Sequence, residues 1–210
     1  MNWRIVSIWL MQWQKWSNNP YTVKMEKDTK KHYLLYTDYR MQSLEIVLEG
    51  LDHSSKTLSD KVLNSIGFLD PSDTEFYLAI RFMAIQNYIR YTIQDFKEIY
   101  QLGNIKPHKY NYVMDKIPGH NFNMIQLINS CADYFKHKDE NISDHTRGVL
   151  EDFGLYDKVH EKYIDNLLGL ASNYLKPIFN IEDTLNLLRE WREKVIEILS
   201  EKYPIKDNPA

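Results

Sequence analysis

The sequence predicts an all-α protein, a single helical bundle with one long central helix at about 72–102 and an irregular loop at about 103–119. Three observations predict it. Apolar side chains recur at spacings of three and four along most of the chain, the pattern of helices that turn one face to a core. Gly and Pro are scarce, 7 of each in 210 residues, which leaves few tight turns. Segments of alternating polarity are scarcer still, the best being Tyr110-Asn111-Tyr112-Val113-Met114.

The elements follow in order. Four of the five tryptophans, Trp3, Trp9, Trp13 and Trp16, fall in the first sixteen residues. Ile5, Trp9, Trp13 and Trp16 share one helical face, with the cations Arg4 and Lys15 nearby. Residues 1–24 are therefore expected to form a Trp-rich amphipathic segment. It either packs on the bundle as its first helix, binds a partner or a membrane surface through residues 1–16, or is a dispensable leader ended by Asn18-Asn19-Pro20. The bundle domain is expected over 25–204, with 205–210 as a tail. Leu44, Val47, Leu48 and Leu51 mark a helix reaching back to about Lys30, and Leu58 to Ile66 a separate short one.

The central helix carries the stripe Leu78, Phe82, Ile85, Ile89, Ile93, Phe96 and Ile99. Pro71 and the capping box Ser72-Asp73-Thr74-Glu75 set its start, and Gly103 is expected to end it. A further helix is predicted from about Phe122 to Glu140, a short one after Ser143, and one through Val159, Tyr163, Leu167, Leu170 and Tyr174. The last stripe is Ile181, Leu185, Leu188, Trp191, Val195, Ile198 and Leu199, opened by Asn180 as N-cap and closed before Pro204.

A chain of this length buries enough apolar surface to fold unaided, and its single cysteine, Cys131, excludes an intramolecular disulfide. The net charge of −3 gives no general affinity for nucleic acid. Residues 1–40 hold seven basic and three acidic side chains, a net +4, so the remaining 170 carry −7. The longest apolar run, Ile5 to Met11, is too short to span a bilayer and lacks a cleavage site, so the cytoplasm is the expected location.

Two internal places can carry chemistry. The loop Lys106-Pro107-His108-Lys109-Tyr110-Asn111-Tyr112, running on to Lys116 and His120, interleaves cations with aromatics. That combination suits phosphate contact with base stacking, while the plainer reading pins the tyrosines onto the bundle and leaves the lysines in water. On the following helix Asn129, Asp133 and His137 are four apart and share a face. A carboxylate one turn from an imidazole can orient it as a general base, whereas the plainer reading makes this the solvated face opposite Ile128, Cys131, Ala132 and Phe135.

The stretch Asp133-Tyr134-Phe135-Lys136-His137-Lys138-Asp139-Glu140, late in a bundle and after a long central helix, resembles the Lys-His helix of bacterial HEPN-like proteins. The resemblance implies a small all-α fold and membership among the ribonucleases of toxin–antitoxin and phage-defence systems. That family separates an Arg from its catalytic His by four to six intervening residues. Here Ser130, Cys131 and Ala132 stand where the Arg would precede His137, so the resemblance implies a non-catalytic member.

No phosphate-cradling Gly-rich loop, His-Glu-x-x-His or Gly-x-Ser-x-Gly pattern occurs. Cys131 reads as a core residue, and His137, Asp144, His145 and His160 have no metal-specific spacing, so no metal or other cofactor is expected. The leading expectation is a non-enzymatic protein-interaction factor of bacterial type, immunity or defence-associated, with a protein partner or a second copy of itself. The alternative is a divergent HEPN-like ribonuclease or RNA-binding protein using Asn129, Asp133 and His137, with no DNA partner.

Overall fold

A computed structural model of the chain describes residues 37–65, 71–103, 107–137, 140–157, 162–163 and 175–203, with backbone alone at 62–65, 71–75, 107–108, 157 and 162–163. The described elements are helical: α1 (Tyr39–Ser65), α2 (Pro71–Ile99), a 3-10 helix (Pro107–Tyr112), α3 (Met124–His137), α4 (Asp144–Asp152), α5 (Lys176–Phe179) and α6 (Ile181–Lys202). One two-residue ladder, β1 (Tyr156–Asp157) antiparallel to β2 (Lys162–Tyr163), interrupts them. All belong to one unit, Tyr39–Ala210, while Met1–Asp38 group separately. The Trp-rich segment with Trp9, Trp13 and Trp16 lies outside the described residues.

α2 is the axis of the bundle. Leu78, Phe82, Ile85, Ile89, Ile93 and Phe96 are all buried, as their spacing predicts. Burial of each such side chain contributes roughly 1.5–3 kcal/mol, so this stripe alone outweighs any local propensity. Phe82 stacks on Phe135 of α3 at 6.1 Å, and Tyr88 meets Trp191 of α6 edge-on at 6.4 Å. The helix ends at Ile99, four residues before the expected Gly103. Gln101 takes the left-handed conformation at φ 52°, and Leu102 N–H donates to the Lys97 carbonyl at 3.0 Å. That is a Schellman closure, which satisfies free carbonyls of the last turn without requiring glycine at the turning position.

α1 differs from expectation in two ways. It is one continuous helix rather than two, because no proline interrupts 39–65 and Gly50 alone lowers helix stability by only about 1 kcal/mol. Thr57 Oγ1 donates to the His53 carbonyl at 2.8 Å, so its hydroxyl is satisfied within the helix. The expected stripe is also only partly internal: Leu44 and Leu48 are buried, whereas Val47 is exposed. α1 runs antiparallel to α2, as two ion pairs, one at its start and one at its middle, show. Arg40 grips Asp95 with both a 2.7 Å Nε and a 2.9 Å Nη2 hydrogen bond, and Asp52 meets Arg81 at 2.5 Å.

Local caps account for the remaining starts. Asn123 and Gln126 form a reciprocal box at the head of α3: Gln126 N–H donates to Asn123 Oδ1 (3.0 Å) and Asn123 N–H to Gln126 Oε1 (3.1 Å). Ser143 Oγ accepts from Thr146 N–H at 3.1 Å to open α4. Asn180 Oδ1 accepts from Asp183 N–H at 3.0 Å, the predicted start of α6. Along α6, Leu185, Leu188, Trp191, Val195 and Leu199 are buried, while Ile198 is partly exposed.

Two further expectations change. The segment Tyr110–Met114, the best strand in the sequence, begins within a 3-10 helix instead, so the loop after α2 is partly ordered. Tyr163, expected on a helix, pairs with Tyr156 in the β1–β2 ladder; the rest of that expected helix lies outside the described residues. Among the described residues no helix is long and apolar enough to cross a membrane.

Candidate functional site

The loop is held by its backbone. Trp191 Nε1 donates to the Tyr110 carbonyl at 3.0 Å, and Asn123 Nδ2 donates to the carbonyls of Asn111 (2.8 Å) and Met114 (3.2 Å). Tyr110 is buried, and burial, with the neighbouring Tyr203, raises its phenol above the ordinary range. Lys109 and Tyr112 are exposed; Lys106 and the side chain of His108 lie outside the described residues. At the loop's far end His120 stacks on Phe153 at 4.2 Å and its Nδ1 lies 3.0 Å from the Asp152 carbonyl. Asp152 also accepts from the backbone and side chain of Asn121, both at 2.9 Å. The cation–aromatic run is thus a segment pinned at both ends, with Lys109 and Tyr112 in solvent.

Asn129, Asp133 and His137 share a face of α3, but their side chains part company. Gln86 of α2 donates from Nε2 to Asp133 Oδ1 at 2.8 Å and to the Asn129 carbonyl at 3.2 Å, and Lys136 donates to Gln86 Oε1. His137 is half exposed and its Nδ1 is 3.0 Å from Glu140 Oε2. Among the described residues no hydrogen bond links Asp133 to His137. The face expected to be solvated instead turns Asp133 toward α2, and among the described residues the buried Asn129 Nδ2 has no partner. Burial holds the Lys136 ammonium below the ordinary lysine range; the Asp133 carboxylate pulls it back up, and the Arg90 guanidinium pushes it down.

Cys131 is buried on the apolar side of α3, and burial pushes its thiol far above the ordinary range, away from any nucleophilic role. Among the described residues no group of three or more His, Cys, Asp or Glu side chains could hold a metal ion; His160 lies outside them.

A cleft of about 420 Å³ opens between α1, α2 and α5 at a place not singled out by motif. Its floor is Arg81, only 6% exposed, whose Nη1 pairs with Asp52 at 2.5 Å and whose Nη2 is 3.5 Å from the Phe179 carbonyl. Among the described residues the Arg81 Nε–H has no partner. Taking a guanidinium out of water costs several kcal/mol, which one partly exposed carboxylate offsets only in part. Ser55, Lys56 and Ser59 line the same cleft from α1, Tyr77 and Leu78 from α2, and Phe179 from α5.

A sequence signal for this cleft does exist. Asp52 follows Leu44 and Leu48 at intervals of four, and Arg81 stands three after Leu78 and four before Ile85, so both charges occupy positions where the stripe calls for apolar residues. The chain has no match among family models, curated proteins or solved structures.

Proposed function

We propose that this chain is a non-enzymatic protein-interaction factor, of the bacterial immunity or defence-associated type, working in the cytoplasm. The observation that supports it best is the set of large apolar side chains left in solvent on the α1–α2 hairpin: Ile46 is 68% exposed, Phe76 61% and Tyr91 56%, with Val47 also open. Val47 lies two turns from Arg40 on α1, the side on which the Arg40 guanidinium sits 5.2 Å from the Tyr91 ring. Exposed aromatic and aliphatic groups on a helical hairpin favour association with another protein surface. The net −7 of residues 41–210 suits a basic partner.

The test is purification of tagged chain from the native host, wild type against Ile46→Glu/Tyr91→Glu. Both positions are exposed, so the circular dichroism spectrum should not change. A stoichiometric protein partner that the double variant loses supports the reading; no partner, or one retained equally, refutes it.

A divergent HEPN-like ribonuclease is the second reading. Arg90 acts electrostatically on Lys136, which brings an α2 arginine near the Asp133–His137 turn. His137→Ala should then abolish RNA cleavage; a wild-type protein that cleaves no RNA excludes it.

A further inference from the structure

We infer that Arg90 of α2 and Lys136 of α3 form an anion site that takes the phosphate group of a small phosphate ester. The site rests neither on the exposed apolar residues of the α1–α2 hairpin nor on RNA cleavage by His137, so it can hold or fail apart from both readings.

Gln86 brings the two cations together. Its buried side chain faces α3, donating from Nε2 to the Asn129 carbonyl and to Asp133 Oδ1, and accepting from Lys136 Nζ at Oε1. Arg90 follows Gln86 by four residues and so stands one turn further along the same side of α2. The charges feel each other. Burial lowers the proton affinity of the Lys136 amine, Asp133 raises it, and the Arg90 guanidinium lowers it again.

Neither cation is neutralised by a direct partner. Among the described residues Arg90 makes no hydrogen bond or ion pair, and Lys136 donates only to the uncharged Gln86 amide. Asp133 has its Oδ1 taken by Gln86 at 2.8 Å. From Phe76 to Gln94 α2 carries no Asp or Glu, in a chain that holds 29. Both cationic side chains are exposed, so a ligand reaches them from solvent. Arg90 offers five N–H donors, and Lys136 two beyond the one it gives to Gln86.

The arrangement selects the ligand. Two cations held near each other on separate helices repel, and an anion bridging them removes that repulsion. A carboxylate is used up in the plane of one guanidinium fork, whereas phosphate oxygens point in several directions and reach the ammonium as well. A phosphate monoester carries about −1.5 to −2 at neutral pH, which suits two positive charges. The net −7 of residues 41–210 repels a long polyanion, so a single phosphate group fits better than a nucleic-acid strand.

The probe is inorganic phosphate, titrated into the full chain at low ionic strength and followed by amide chemical shifts. Phenyl phosphate, acetate and a ten-residue uridine RNA without terminal phosphate are titrated alongside. Saturable phosphate binding is expected with a Kd on the order of millimolar, and with shifts centred on residues 86–90 and 133–137. Phenyl phosphate should bind at least as tightly, and acetate at least about fivefold more weakly. Arg90→Gln and Lys136→Gln, both at exposed positions, should each weaken phosphate at least about fivefold with an unchanged circular dichroism spectrum. Arg189→Gln, which removes an exposed cation of α6, should leave the affinity as it is. Absence of saturable phosphate binding, failure of phenyl phosphate to bind, equal binding of acetate, or the same loss in Arg189→Gln as in Arg90→Gln overturns the inference. RNA binding more tightly than phosphate overturns it as well, since the face would then be a nucleic-acid contact.

Discussion

Trp191→Phe is the substitution that best tests how the loop after α2 is held. Trp191 is fully buried on α6, lies edge-on to Tyr88 at 6.4 Å, and donates its indole N–H to the Tyr110 carbonyl at 3.0 Å. Phenylalanine keeps an aromatic ring but removes the donor and roughly 40 Å³ of volume, and at about 24 cal/mol per Å³ that cavity costs about 1 kcal/mol. Loss of the hydrogen bond adds about 1–1.5 kcal/mol. The sum, about 2–2.5 kcal/mol, corresponds to a fall in Tm of about 4–10 °C for a chain of this size. Urea unfolding followed by circular dichroism measures the first quantity. Amide hydrogen exchange measures a second one, local to the loop: protection at Tyr110–Met114 should fall more than protection in the middle of α2. A loss of stability below about 0.5 kcal/mol with unchanged exchange in the loop would refute the argument that Trp191 anchors it.

Two further outcomes follow from the same packing. Asn123, 1% exposed, both caps α3 and ties down two loop carbonyls, so Asn123→Ala removes three hydrogen bonds and should cost about 3 kcal/mol in the same urea titration. Cys131 should resist iodoacetamide at pH 8 in the folded protein and react fully in denaturant, since burial disfavours its thiolate; fast alkylation of the native chain would contradict its placement.

How far the sequence foretold this structure differs by element. The stripes of α2 and α6 were legible because one buried face at helical spacing is a local property, and so are Pro71, the first residue of α2 where a capping box from Ser72 was expected, and the Asn180 cap of α6. The continuity of α1 was not legible, because Gly50 and the polar run at 52–57 weaken the pattern where packing against α2 sustains the helix. The trio on α3 shows the limit for sites. Spacing put Asn129, Asp133 and His137 on one face, but Gln86, more than forty residues earlier, takes Asp133, while Glu140 takes His137.

By itself, then, the sequence determined an all-α fold, its long axis and most helix ends, because these rest on periodicity and capping within a few residues. Only the tertiary structure decided which polar groups meet. Arg81 and Asp52 each stand out as a charge on an apolar stripe, yet their pairing across 29 residues and the cleft beside them exist only once α1 lies antiparallel to α2. Hydrogen bonds and ion pairs act over about 3 Å, and no local pattern encodes which distant side chain arrives at that distance.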